Sequence, residues 1–158
     1  EGDGGRAVYY LDTESRVVRL DESGSWTSGT IATQHRPGRG SQSEGSSVFA
    51  LTVSGSFVRI DRDGNWIPLA GPGIALDAQI IAFEVGLGTS TPSVLTADGR
   101  ARRGTLDALG TVSTWMEPAW VEGPATSPIE SLALVQDDYT LLAVQSDGQL
   151  RSASASTY

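Results

Sequence analysis

The chain has 158 residues and a mass of 16.6 kDa, which suffices for one hydrophobic core and is too short to expect two. Its net charge is −8 and its pI is near 4.5, so a phosphate backbone or an anionic membrane surface would repel it. Nucleic acid is therefore not an expected partner. No apolar run approaches the roughly 20 residues that span a bilayer, so no membrane insertion is expected either.

The chain has no cysteine and one histidine, His35. This composition excludes disulfides, zinc–thiolate sites and thiol nucleophiles. His35 lies in a basic, glycine-rich segment, residues 34–40, which we expect to be a solvated loop. Without a second histidine, a transition-metal site is not expected, and the sequence predicts no metal and no other cofactor.

An internal repeat begins near the start of the chain. Residues 8–26 superpose without a gap on residues 48–66, at an offset of 40. A third copy follows at an offset of 44, where residues 94–100 align with residues 50–56 and Arg103 falls under Arg59. A fourth copy, residues 143–151, repeats the same segment at a further offset of 49. A fixed period of this length marks blades, solenoid turns or trefoil lobes.

Each copy has the pattern of a β-hairpin followed by a third strand. Two short runs rich in β-branched and aromatic residues flank a Ser-Gly or Asp-Gly pair, which accepts the positive φ of a tight turn. Further apolar runs, Ile80–Val85 and Leu132–Val135, precede the third and fourth copies. They supply an innermost strand, so the unit is a four-stranded antiparallel blade and the fold class is an all-β propeller. The alternative is a β-trefoil.

The repeats cover approximately residues 6–30, 31–71, 78–120 and 129–158 of a single propeller-type domain. The pattern starts at the second strand of one blade and stops at the third strand of another, which predicts about three and a half blades. Such an arrangement leaves long sheet edges that native proteins normally cover. We expect the missing strands to come from another copy of the chain or from further sequence.

The stretch from Val8 to Gly29, with its aromatic strand, its Val-Arg-Leu-Asp run and its Ser-Gly-Ser-Trp turn, resembles a blade of the fungal fucose-specific lectins and of related tectonin-type propellers. The resemblance implies six-bladed propellers with sugar sites between neighbouring blades. Trp26 and Trp66 match the aromatic position that lies against the sugar. The family's sugar-binding Arg position holds Ala7 and Ser47 here, and its Glu position holds Arg19 and Arg59. The resemblance therefore covers the scaffold, whereas most of the sugar-binding residues differ.

Arg19, Arg59 and Arg103 recur at one position of the blade. A guanidinium there can present its planar fork to sugar hydroxyls or to the carboxylate of an acidic glycan. The alternative is a repeated inter-blade ion pair with acidic residues such as Asp21 and Asp61. Three equivalent sites would also gain avidity from weak individual affinities.

Aromatic residues complete the candidate ligand-binding set. Trp26, Trp66, Trp115 and Trp120, with Tyr9 on the aromatic strand, offer flat apolar faces with a polar handle. Packing between blades is the alternative for the first two. Trp120 lies in a proline-flanked segment, and we expect it to be exposed.

These patterns predict a non-catalytic, lectin-like module that binds glycans at inter-blade clefts and is secreted or displayed at the cell surface. The first alternative is a protein–protein interaction propeller without a sugar site. The second is a fragment of a glycoside-active enzyme, for which two carboxylates must face one another across a cleft. Glu84 and Glu130, near the inner strands, are the least unlikely pair, and no catalytic residue is predicted.

Overall fold

The structure is a computed structural model that describes residues 8–21, 24–39, 46–52, 56–60, 65–69, 76, 78–85, 92–106, 112–135 and 140–154. Within these ranges the chain is all-β, with thirteen strands and no helix. The strands are β1 (Val8–Leu11), β2 (Arg16–Asp21), β3 (Gly24–Arg39), β4 (Ser46–Thr52), β5 (Phe57–Ile60), β6 (Trp66–Pro68), β7 (Ile80–Val85), β8 (Pro92–Thr96), β9 (Ala101–Leu106), β10 (Val112–Met116), β11 (Ile129–Val135), β12 (Thr140–Gln145) and β13 (Leu150–Ser154).

Blade 3 is the complete four-stranded unit that the sequence predicts. Its strands β7 to β10 pair in chain order as an antiparallel meander. The predicted innermost run, Ile80–Val85, is strand β7, and it pairs with β8. This order is the blade of a propeller rather than the lobe of a trefoil.

Blades 1 and 2 are joined by one long strand. The first half of β3 pairs with β2 as the outer strand of blade 1, and the second half pairs with β4 as the inner strand of blade 2. Strands β4, β5 and β6 then complete blade 2. The loop predicted for residues 34–40 is therefore wrong for residues 34–39, because these backbone groups pair with residues 46–51 of β4.

Blade 4 consists of β11, β12 and β13 among the described residues. The predicted run Leu132–Val135 lies within its inner strand, β11. The connection from blade 3, residues 117–128, runs beside the outer strand β13. Trp120 forms an antiparallel bridge with Ala153, and the Val121 amide donates to the Ser152 carbonyl at 2.8 Å.

The blades pack face to face, because alternate residues of a strand point to opposite faces of its sheet. Three buried apolar clusters occur among the described residues, and each fills one space between successive blades. Three phenylalanines pack between blades 2 and 3, where Phe57 meets Phe49 and Phe83 at ring-centroid distances of 6.0 and 4.9 Å. Every blade is thus held by the face of its neighbour.

The predicted hairpin turns are confirmed where the structure describes them. Gly99 and Gly148 follow aspartates and adopt φ values of 76° and 81°, which glycine tolerates without a Cβ penalty. Ser15 occupies the corresponding position of blade 1 with φ 60°. There the Asp12 carboxylate accepts hydrogen bonds from the Glu14 and Arg16 amides, both at 2.9 Å, which stabilise the turn.

Candidate binding groove between the second and third blades

Strand β9 divides its side chains between the two neighbouring blades. Arg102 pairs across the strands with Val94, which packs against blade 2. Ala101 pairs with Leu95, and both pack against blade 4. The adjacent residues Arg102 and Arg103 therefore face different neighbours: Arg102 faces blade 2 and Arg103 faces blade 4.

A polar groove opens on the blade 2 side of this strand. Charged and polar side chains of the β8–β9 hairpin form one wall, and the indole of β10 lies behind them. Its lining residues are Leu76, Ala78, Thr96, Asp98, Arg100, Arg102 and Trp115. A second cleft, on the blade 4 side, is lined by Arg103, Met116 and Ser154 among others.

Arg102 is half-buried in the groove and has unused hydrogen-bonding capacity. Its NH1 donates to the Ala101 carbonyl at 3.2 Å, whereas a guanidinium carries five N–H donors. Across the described part of the chain, no carboxylate forms an ion pair with it. The remaining donors are available to a ligand.

Trp115 lies beside Arg102 because the intervening strand position is a glycine. Trp115 pairs across the strands with Gly104, and a Cβ added at Gly104 would lie 3.0 Å from Trp115 Cζ3. On its inner side the indole approaches Phe57, with ring centroids 6.4 Å apart. Its Nε1–H is buried without an acceptor among the described residues, so the polar handle of this indole is unsatisfied.

The hairpin turn adds charge to the groove. Thr96 Oγ1 donates to Asp98 Oδ1 at 2.6 Å, and this hydrogen bond, with the charge of Arg100, lowers the pKa of the Asp98 carboxyl. Arg100 Nε lies 3.4 Å from Asp98 Oδ2, and its side chain is largely exposed. Among the described residues the lining carries two guanidinium groups and one carboxylate.

The three predicted arginines occupy equivalent places in blades 1 to 3. Arg19, Arg59 and Arg103 each pair with a residue of the preceding strand, namely Tyr9, Phe49 and Ser93. Arg19 and Arg59 are only 7% and 2% exposed, so little of either side chain can meet a ligand from solvent. Arg103 is half-buried and donates from NH1 to the Ser154 carbonyl of blade 4 at 3.2 Å.

Besides Trp115, two of the aromatic candidates, Trp66 and Trp120, have described side chains, and they lie on blade 2 and on the 117–128 connection. Trp120 is buried against blade 4, so its expected exposure is wrong: the 117–128 connection lies against β13 instead of extending into solvent. Trp66 is exposed. Trp26 pairs with Arg19 whereas Trp66 pairs with Ile60, so the two tryptophans differ in register despite their sequence equivalence. The side chains of Trp26 and Tyr9 lie outside the described set.

Arg102 was not among the predicted ligand-binding residues. The alignment of the first three copies emphasises position 103, because Arg103 falls under Arg59. A second signal favours position 102, since the offset of 49 residues aligns it with Arg151 of the fourth copy. The registers agree, because Arg102 pairs with Val94 and Arg151 pairs with the equivalent residue, Ala143.

Arg151 differs from Arg102 in being buried and fully engaged. Its Nε donates to Gln145 Oε1, and its NH1 donates to the carbonyls of Glu122 and Gly123 at 2.9 and 3.3 Å. The buried Gln145 in turn donates from Nε2 to the Ser127 carbonyl at 2.9 Å. This network fastens the 117–128 connection to blade 4, so the same position is structural in one blade and accessible in another.

Glu122 links this connection to β13 through its carboxylate. Its carboxylate accepts hydrogen bonds from the Ser152 amide at 2.8 Å and from the Ser152 hydroxyl at 2.7 Å. These bonds lower the pKa of Glu122 below its ordinary value of 4.5. The resulting stabilisation is present above the ordinary pKa and is lost as the pH falls through the lowered one.

We therefore expect Glu122→Gln to reduce the loss of thermal stability that acid causes. The measurement is the melting temperature between about pH 6 and pH 3, where the parent should lose more than the variant. Glu117→Gln, at an exposed glutamate of the same connection, is the control and should follow the parent. Parallel curves for parent and Glu122→Gln would contradict the expectation.

The predicted carboxylate pair, Glu84 and Glu130, lies on the inner strands of blades 3 and 4. Glu84 is half-buried on β7 and Glu130 is exposed on β11. In the described ranges no group of three or more His, Asp or Glu side chains is placed to hold a metal ion. No helix in these ranges has the length and apolar character needed to cross a membrane.

Solved propeller structures resemble this fold. The chain is similar to the C-terminal WD40 domain of Sif2, with a TM-score of 0.56 and 13% identity over 99% of this chain and 48% of that one. It is similar to BBS1N from its complex with ARL6DN, with a TM-score of 0.53 and 16% identity over 99% of this chain and 45% of that one. It is also similar to the dihydro-heme d1 dehydrogenase NirN in complex with DHE, with a TM-score of 0.54 and 16% identity over 94% of this chain and 34% of that one.

At these identities the likeness shows the fold alone: the chain is a β-propeller module. It spans about a third to a half of the length of these three solved chains. No family model matches the sequence, and no curated protein matches it. None of the three structures supports the resemblance to fungal fucose-specific lectins, which stays a prediction.

Proposed function

We propose that the chain is a non-catalytic propeller module that binds glycans in the groove between blades 2 and 3. The observation that carries the proposal is the guanidinium of Arg102, which uses one donor within the protein and lies beside Trp115 in a polar groove. A guanidinium fork donates to sugar hydroxyls, and an indole packs against the apolar face of a sugar ring. An extracellular location, where glycans are abundant, belongs to the same proposal.

The charge of the groove favours glycans that carry a carboxylate. Arg100 and Arg102 outnumber the single Asp98 among the lining residues, although the chain as a whole has a net charge of −8. A local excess of positive charge raises the concentration of an anionic ligand near its site. Neutral glycans should therefore bind more weakly than uronic-acid or sialic-acid oligosaccharides.

The test is a glycan array followed by calorimetry with the best-binding oligosaccharide. Replacing Arg102 with glutamine should weaken binding by roughly ten- to a hundred-fold, as expected for the loss of hydrogen bonds from a charged donor. Arg16→Gln is the matched control, because Arg16 lies on blade 1 and pairs with Asp12 and Glu14. Equal affinities of the parent and Arg102→Gln, or an array without hits, would remove the proposal.

A protein-interaction module is the second candidate, and exposed apolar side chains favour it. Val8 and Leu20 on blade 1, and Leu150 on blade 4, lie on outward sheet faces and are exposed. The propeller fold itself serves both functions and does not discriminate between them. Binding of a protein that is unaffected by Arg102→Gln would favour this candidate.

A further inference from the structure

Blade 1 presents an apolar face with three exposed side chains, although Val18 within it is only 7% exposed. Val8, Tyr10 and Leu20 are 59%, 46% and 49% exposed. The registers place them on one face of the sheet, since Val8 pairs with Leu20 and Tyr10 pairs with the neighbouring Val18. We call this surface the leading face.

The repeat shows what such a face does in the interior of the fold. At the offset of 40 residues, Val8, Tyr10 and Leu20 correspond to positions of blade 2 that pack against blade 1. Those residues are Val48, Ala50 and Ile60, and each is 0% exposed. The leading face therefore has the pattern of a surface that another blade buries.

Blade 4 presents the complementary surface. Val144 and Leu150 pair across the strands and are 38% and 57% exposed. At the offset of 49 residues they correspond to Leu95 and Ala101, which are buried against blade 4. We call this second surface the trailing face; Leu142 and Ala133 pair across the strands within it.

Neither face carries charge at the strand positions that define it. The leading face is built from Val8, Tyr10, Val18, Leu20, Ser25 and Thr27. The trailing face is built from Ser131, Ala133, Val135, Thr140, Leu142, Val144, Leu150, Ser152 and Ser154. The Glu122 carboxylate lies against Ser152 of the trailing face, and the described strand positions of the leading face that would meet it carry no charge.

We propose that two copies of this chain dock head to tail, with the trailing face of each copy against the leading face of the other. By the repeat, the leading face corresponds to the blade 2 surface that packs against the preceding blade. The trailing face corresponds to the blade 3 surface that packs against the following blade. A second copy therefore supplies both complements. Two such contacts related by a twofold axis close a ring.

Two of the three similar structures fit two copies as the number that closes the ring, whereas the chain spans 34% of the third. The chain spans 48% and 45% of two similar propeller chains, so a pair of copies contains about as much chain as either. The Trp120–Ala153 bridge covers part of the outer edge of β13. Docking through faces, rather than addition of a strand at that edge, is the contact that this geometry favours.

Light scattering of the 158-residue chain tests the assembly. The expected mass is twice 16.6 kDa at micromolar concentration. Leu20→Glu or Leu150→Glu places a carboxylate at the centre of one face, and each should raise the dissociation constant by about a hundred-fold or more, because burial of an unpaired charge is costly. Ile81→Glu, at an exposed apolar residue of β7 in blade 3, lies outside both faces and should leave the mass unchanged.

A mixing experiment separates assembly from folding. The Leu20→Glu copy keeps its trailing face and the Leu150→Glu copy keeps its leading face, so an equimolar mixture should recover a particle of two copies through one intact contact. A monomeric parent would overturn the proposal and indicate that blades of a longer polypeptide cover these faces. A mass that keeps rising with concentration, or a mixture that stays monomeric, would overturn it as well.

Discussion

Replacing Arg151 with methionine is expected to lower the free energy of unfolding by about 3 kcal/mol, because removing one partner of a buried charged network leaves the other groups without hydrogen bonds. Arg151 is 5% exposed. Methionine has a similar length but no donor. The change would strand the Gln145 side-chain oxygen and the carbonyls of Glu122 and Gly123.

The matched control is Arg102→Met, at the equivalent position of blade 3. Arg102 is half-buried and its side chain donates to one backbone carbonyl, so this change should cost less than about 1 kcal/mol. Urea unfolding of the two variants and the parent gives both values. Equal losses at the two positions would contradict the assignment of Arg151 as the residue that holds the 117–128 connection.

The blades of this fold could be predicted because the repeat and the turns agree. An Asp-Gly pair between two β-branched runs permits one hairpin register, and Gly99 and Gly148 adopt the positive φ that this register requires. The other copies of the hairpin pattern then identify the neighbouring blades. The innermost strand of blade 3 followed from its apolar residues, since inner strands are buried on both sides.

Other features could not be predicted because they depend on contacts distant in sequence. Residues 34–39 contain glycine and proline, which indicate a loop, yet they pair with β4. Trp120 has local features of an exposed segment, yet the edge of β13 captures it. In both cases tertiary pairing overrides the local signal.

The candidate groove was only partly predictable. Sequence alignment identified recurrent arginines, but strand alternation decides which of them reaches solvent. Arg59 faces inward, whereas Arg102 lines the groove. Trp115 is displaced by three residues from the tryptophan position of the earlier copies, so the repeat alone assigns it no role; its pairing with Gly104 brings it to the groove.

Replacing Gly99 with alanine is expected to destabilise the contact between blades 3 and 4. A Cβ at this position would lie 2.5 Å from Pro128 Cβ and 3.0 Å from Pro128 Cα, so the backbone itself must move. The same turn accepts a hydrogen bond from the Ile129 amide to the Gly99 carbonyl at 2.8 Å. Overpacking of about 1–3 kcal/mol adds to roughly 1 kcal/mol for alanine in the left-handed region.

Gly148→Ala isolates the steric part of this effect. Gly148 occupies the same turn of blade 4 with φ 81°, close to the 76° of Gly99, and a Cβ there would meet no atom within 4 Å. Its replacement should therefore cost only the conformational part, about 1 kcal/mol. Urea unfolding midpoints of the two variants measure the difference. A larger loss for Gly99→Ala means that the turn of blade 3 bears directly on the entry to blade 4, whereas equal losses would show that Pro128 yields without cost and that the blades adjust independently.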